Sequence, residues 1–78
     1  MKEYYEQVFA LINLLKREQH TEESKILQSC VEAGATGGEI LMCIRFNLEK
    51  YYEAGSYRAA TSKEMHRVSK LTTLLLGD

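Results

Sequence analysis

The stretch Glu32-Ala33-Gly34-Ala35-Thr36-Gly37-Gly38-Glu39 decides the fold, because it ends one helix and begins the next within a few residues. Gly34 predicts a helix stop, since glycine adopts the left-handed backbone conformation without a Cβ clash. Thr36 stands three residues before Glu39, the spacing of a capping box, in which each side chain satisfies a backbone N–H at the helix start. The stretch therefore predicts a helical hairpin in the middle of the chain.

Apolar residues recur at three- and four-residue spacing on both sides of this hairpin, which is the pattern of amphipathic helices. In the first helix the stripe is Tyr4, Val8, Leu11, Ile12 and Leu15. Thr21 is the expected N-cap of the second helix, and Thr61 with Glu64 repeats the capping-box spacing before the fourth. The predicted helices cover residues 2–17, 21–33, 37–54 and 61–76. Four helices with short connections predict an all-α fold, a compact antiparallel bundle forming one domain over residues 1–78.

The third predicted helix is apolar on two sides. Its main stripe consists of Ile40, Leu41, Ile44, Leu48, Tyr51 and Tyr52. Met42 and Phe46 fall on the other side, in line with Glu49 and Glu53. We expect this helix to be the central one, with Met42 and Phe46 in the core. The alternative leaves these two side chains on the surface.

The net charge bears on the partners of the protein, and the two cysteines bear on its compartment. The formal net charge is −1, so no global attraction to nucleic acid or to an anionic membrane is expected. No apolar run approaches membrane-spanning length, and Met1-Lys2-Glu3-Tyr4-Tyr5 lacks the apolar region of a signal peptide. Cys30 and Cys43 flank the hinge, and a disulfide between them is geometrically conceivable but not established by their spacing. We expect two reduced thiols in a cytoplasmic protein.

Residues that could catalyse a reaction or bind a metal are isolated in the sequence. His20 and His66 have no set of partners at ligand spacing, and no Cys-x-x-Cys occurs. The glycines between Gly34 and Gly38 precede a helix, but the Lys-Ser/Thr pair of a phosphate-binding loop is missing. The sequence therefore predicts no enzyme, no metal and no cofactor.

The hinge also has the outline of a DNA-binding helix-turn-helix, with Cys30 before the turn, Gly34 in it and Ile40 as the apolar anchor. The leading residues of the second helix offer one hydroxyl, from Thr36, and no Arg, Lys, Asn or Gln that could read base edges. A basic stripe on the fourth helix could contact phosphates. It consists of Lys63, Arg67 and Lys70. A DNA- or RNA-binding regulator is the runner-up hypothesis.

If Met42 and Phe46 lie on the surface, as in the alternative above, this side of the third helix supports the leading hypothesis, a protein-binding module. Apolar anchors within a charged rim are typical of binding hot spots. The predicted partner-binding residues are Met42, Phe46, Glu49, Glu53 and Tyr57. Such a face could dock a basic protein partner or join two copies in a homodimeric adaptor.

The block from Glu32 to Tyr51, EAGATGGEILMCIRFNLEKY, resembles a pattern in small all-helical bacterial immunity proteins encoded beside contact-dependent and other polymorphic toxins. The residues that carry the resemblance are Gly34, Thr36, Gly37, Glu39, Ile40, Leu41 and Tyr51. It implies a cytoplasmic protein that binds one toxin domain, often a nuclease, and covers its active site or substrate surface. It assigns no interface position, because members of the family differ in their binding residues. The chain departs from this pattern in being close to neutral, where an inhibitor of a basic nuclease is expected to be clearly acidic.

Overall fold

Four α-helices account for most of residues 2–77, the part of the chain that the computed structural model describes. They are α1 (Lys2–Arg17), α2 (Thr21–Ala33), α3 (Gly37–Ala54) and α4 (Ala59–Leu76). Each connection between them is only three or four residues long. The predicted all-α four-helix bundle is confirmed.

The four helices form a square, in which α1 and α3 each pack against α2 and α4. The expectation that α3 is the central helix is therefore wrong. No helix occupies the centre of such a square, and each buries only the side that faces its two neighbours. The second apolar side of α3 consequently points away from the core.

The core lies along the axis of the square and follows the apolar stripes. All five predicted core residues of α1 are buried, and Leu27, Ile44, Leu48, Met65 and Val68 from the other helices are completely buried with them. Burying one such aliphatic side chain stabilises the fold by about 1.5–3 kcal/mol relative to leaving it exposed. The amphipathic pattern of the sequence thus predicts which of these side chains lie in the interior of the bundle.

At the turn between α2 and α3, the N-cap of α3 is as predicted, but the backbone conformation of Gly34 is not. The backbone N–H of Glu39 donates to Oγ1 of Thr36 at 3.1 Å, which confirms the cap of α3. Gly34 has φ −70° and ψ 129°, an extended conformation, so the predicted left-handed stop is wrong at this residue. The glycine is needed for a different reason, because a Cβ at this position would clash with Cγ1 of Ile40.

The starts of α2 and α4 also differ from the sequence-based expectation. Thr21 is the first helical residue of α2, and His20 is the N-cap. α4 begins at Ala59 with Arg58 as its N-cap, so Thr61 lies inside the helix and is completely buried. Its hydroxyl lies 3.4 Å from Oε1 of Glu18, the residue directly after α1, and does not cap the helix.

Cys30 and Cys43 form a disulfide between α2 and α3, which corrects the expectation of two reduced thiols. The short turn after α2 brings the two helices side by side, with the two Cα atoms 5.6 Å apart, a separation that suits a disulfide. Sequence spacing could not show this, because it does not tell which sides of two helices face each other.

None of the four helices in the described part of the chain combines the length and the apolar character that crossing a membrane requires.

Candidate protein-binding surface

Four of the five predicted binding residues share one side of α3. Met42, Phe46, Glu49 and Glu53 are separated by four, three and four positions, so they align along the helix on its solvent side. All four are exposed, and Phe46 and Met42 retain 67% and 59% of their accessible surface. The placement of Met42 and Phe46 in the core is therefore wrong. We call these four residues the outer face of α3.

An aromatic pair adjoins the outer face on the side of α4. Tyr52 was expected in the buried stripe but is 49% exposed, and its ring stacks on His66 with centroids 5.1 Å apart. Glu49 and Glu53 border the same shallow depression of about 280 Å³. The apolar anchors of the outer face are thus followed by two carboxylates and an exposed tyrosine.

Tyr57 does not join the outer face. It is half-buried, its hydroxyl donates to Oε2 of Glu23 on α2 at 2.7 Å, and its ring contacts His20 edge-on, with centroids 4.7 Å apart. Burial, followed by the hydrogen bond and the charge of Glu23, raises the pKa of Tyr57 well above its ordinary value. The residue therefore links the α3–α4 connection to the start of α2.

The outline of a helix-turn-helix falls on α2, the turn at Gly34 and α3, and the two helices pack against each other in the bundle. The Cys30–Cys43 disulfide ties the two helices close to the turn. At the other end, the hydroxyl of Tyr57, three residues after α3, donates to Glu23 in the first turn of α2. The two helices therefore run antiparallel as neighbours within the bundle.

The basic stripe of α4 is exposed, but its middle residue is engaged. Arg67 contacts Glu64 on the same helix and Gln7 on α1. Lys63 and Lys70 point into solvent on either side of it.

Among residues 2–77, no three His, Cys, Asp or Glu side chains are grouped so that they could hold a metal ion.

Asn47 is a residue whose position sequence reasoning missed. It is buried, and its side-chain amide donates to the carbonyl oxygen of Cys43 at 2.9 Å and lies 3.6 Å from Sγ of Cys30. The available signal was an amide between Ile44 and Leu48, in phase with the buried stripe and one turn after a cysteine. A polar residue at such a position needs partners in the interior.

No protein-family model, curated protein or solved structure matches this chain.

Proposed function

We propose that this protein is a non-enzymatic protein-binding module, specifically an immunity protein that neutralises a toxin by laying the outer face of α3 over the active site. The observation that carries the proposal is the exposure of Met42 and Phe46 one turn apart on the same side of a helix. Large apolar side chains that lie together on an exposed helix face are typical of protein-binding surfaces.

The outer face combines anchoring with steering. Phe46 and Met42 can insert into a pocket of the partner, where loss of water contributes most of the binding free energy. Glu49 and Glu53 lie on the same line and attract a basic surface, which accelerates association and orients the encounter. Basic surfaces are what nucleases present to their substrate, so a toxin nuclease is a fitting partner.

The charges of α3 favour a different protein over a second copy. In an antiparallel pairing of two α3 helices centred on Phe46, Glu39 of one copy faces Glu53 of the other. In a parallel pairing Glu49 and Glu53 each face their own counterparts. Like charges in direct opposition cost several kcal/mol at an interface, which disfavours a homodimer through this face.

The compartment is part of the proposal, because an immunity protein acts where its toxin acts. We propose the cytoplasm, as the resemblance implies, and the Cys30–Cys43 disulfide makes that testable. Disulfides persist in oxidising compartments and are rare in the cytosol. Alkylation of thiols in intact cells, followed by mass measurement, will show free thiols if the protein is cytoplasmic and an intact disulfide if it is exported.

The test of function is protection from the product of the neighbouring gene. We expect co-expression of the wild-type protein to restore growth to cells that make this product, and the two proteins to form a one-to-one complex. A variant carrying Phe46→Ser, Glu49→Lys and Glu53→Lys should fail to protect and should bind at least about 30-fold more weakly.

The matched control carries Phe9→Ser and Glu6→Lys on α1, where Phe9 is 39% exposed. It removes an exposed phenylalanine and reverses a charge away from α3, and it should protect as the wild type does. Helical content measured by circular dichroism confirms that both variants fold. Unchanged protection by the α3 variant would contradict the assignment of the outer face. Recovery of nucleic acid in place of a protein, with binding lost on Lys63→Ala and Lys70→Ala, would favour the regulator hypothesis.

A further inference from the structure

A groove runs between α2 and α3, and none of the four outer-face residues lines it. Its volume is about 590 Å³ and both half-cystines, Cys30 and Cys43, line it. The charged side chains along it are Glu22, Lys25 and Glu39. The groove is open to solvent and bordered by both half-cystines, so it offers a small molecule a route toward the disulfide.

The two half-cystines differ in accessibility. Cys30 keeps only 3% of its surface exposed, whereas Cys43 is half-buried. Nucleophilic attack on a disulfide requires access to one sulfur, and the other sulfur then leaves as a thiolate. Because Cys43 is the more exposed residue of the pair, we infer that its Sγ is the sulfur attacked and that Sγ of Cys30 is the sulfur that leaves.

Asn47 is positioned to assist the departure of Cys30. Its amide nitrogen lies 3.6 Å from Sγ of Cys30 and 3.8 Å from Sγ of Cys43, while it is held in place by its hydrogen bond to the carbonyl oxygen of Cys43. An N–H donor directed at sulfur stabilises the negative charge that develops there. Asn47 is thus a positioning residue for the exchange.

We propose that the Cys30–Cys43 disulfide is a thiol-exchange site, opened in the folded protein by a small thiol that enters the groove. The incoming thiolate forms a bond to Sγ of Cys43, and the bond between the two protein sulfurs breaks. Its electron pair remains on Sγ of Cys30, which then takes a proton from water. A second molecule of the small thiol attacks the mixed disulfide, so that two small thiols are oxidised to one disulfide and the protein is reduced to its dithiol.

The charges of the groove define the class of thiol. Two carboxylates, Glu22 and Glu39, and one ammonium, Lys25, leave the groove with a net negative charge. An uncharged or cationic thiol is therefore favoured over an anionic one. Two unit charges about 4 Å apart in water interact by about 1 kcal/mol, which corresponds to a change in rate of about fivefold.

The first experiment compares the two cysteines in single-cysteine variants, Cys30→Ala and Cys43→Ala, each reacted with cystamine. We expect Cys43, left free in Cys30→Ala, to form the mixed disulfide at least tenfold faster than Cys30 does in Cys43→Ala. Equal rates, or faster reaction of Cys30, would overturn the proposal. Circular dichroism before the reaction verifies that each variant is folded.

The second experiment uses the oxidised wild-type protein. Cysteamine and 2-mercaptoethanesulfonate are supplied at equal thiolate concentrations, and the acid-quenched products are mapped by mass spectrometry. We expect the mixed disulfide on Cys43, faster reaction with cysteamine, and retention of the helical signal. Exchange no faster than global unfolding, measured by hydrogen exchange under the same conditions, would show that the groove gives no access to the bond and would overturn the proposal.

Discussion

The backbone of Gly34 packs directly against the side chain of Ile40, so the turn between α2 and α3 has no space for a Cβ. The carbonyl oxygen of Cys30 would lie only 3.1 Å from such an atom. The first residue after α2 is thus in contact both with the helix it leaves and with the helix that follows. Close approach, and not backbone conformation, makes glycine necessary here.

Gly34→Ala should destabilise the protein by about 1–3 kcal/mol, because the added methyl group overpacks a site bounded by backbone atoms and a β-branched side chain. Urea unfolding measures the change. The matched control is Gly38→Ala in the first turn of α3, where the nearest atom to a new Cβ is Oγ1 of Thr36 at 3.9 Å. That substitution should be neutral or stabilising by about 0.5–1 kcal/mol. The same sign for both variants would contradict the steric interpretation.

Two buried tyrosines should respond in opposite directions to loss of the hydroxyl. The hydroxyl of Tyr4 lies 2.6 Å from Oγ1 of Thr72, which itself donates to the carbonyl oxygen of Val68. Tyr4 is therefore the donor, and Tyr4→Phe should cost about 1 kcal/mol. The buried hydroxyl of Tyr51 has no hydrogen-bond partner in the described part of the chain, so Tyr51→Phe should stabilise by about 1 kcal/mol. Thermal unfolding of the two variants side by side provides the measurement.

The disulfide should contribute measurably to stability. It joins residues 13 positions apart, and closing a loop of this size stabilises by about 3 kcal/mol, chiefly by restricting the unfolded chain. The double variant Cys30→Ala, Cys43→Ala should unfold at correspondingly lower urea than the oxidised protein. A reductant should lower the midpoint of the wild type and leave that of the double variant unchanged. A shift in both would mean that the reductant acts elsewhere.

Stability should fall at alkaline pH because of Tyr57. Burial and the neighbouring Glu23 raise the pKa of Tyr57 above its ordinary value of 10.0, so the folded state keeps the proton more tightly than the unfolded chain does. The stabilisation is complete below pH 10 and is lost as the pH rises beyond it. Urea midpoints measured from pH 8 to pH 11 should decline more steeply for the wild type than for Tyr57→Phe. Parallel slopes would exclude this tyrosine as the cause.

The elements of the bundle could be predicted from the sequence because they depend on local patterns. The stripe of α1 and the cap at Thr36 are set by residues three and four positions apart, and both are confirmed. The start of α4 was misplaced for the opposite reason. Thr61 has the spacing of a cap, yet α4 begins two residues earlier, and the hydroxyl of Thr61 contacts Glu18, 43 residues away in the sequence.

The candidate site depends on long-range packing, which is why the sequence predicted it only in part. Met42 and Phe46 are equally compatible with a core and with a surface until the number of neighbours of α3 is known. Tyr57 was grouped with them by its position after α3, but its contact with Glu23 turns it toward α2. The disulfide likewise required knowledge of which sides of α2 and α3 face each other.

The square arrangement of the helices has a kinetic consequence. Three sides of the square join helices that follow one another along the chain, whereas the side between α1 and α4 joins residues such as Tyr4 and Thr72, 68 positions apart. Contacts between residues close in sequence form early in folding. A contact between distant residues forms later, because closing the long intervening loop costs more chain entropy. We expect α1 and α4 to dock after the transition state, so that disrupting the Tyr4–Thr72 contact accelerates unfolding and leaves the refolding rate nearly unchanged. The last step in folding would then be the closure of a ring.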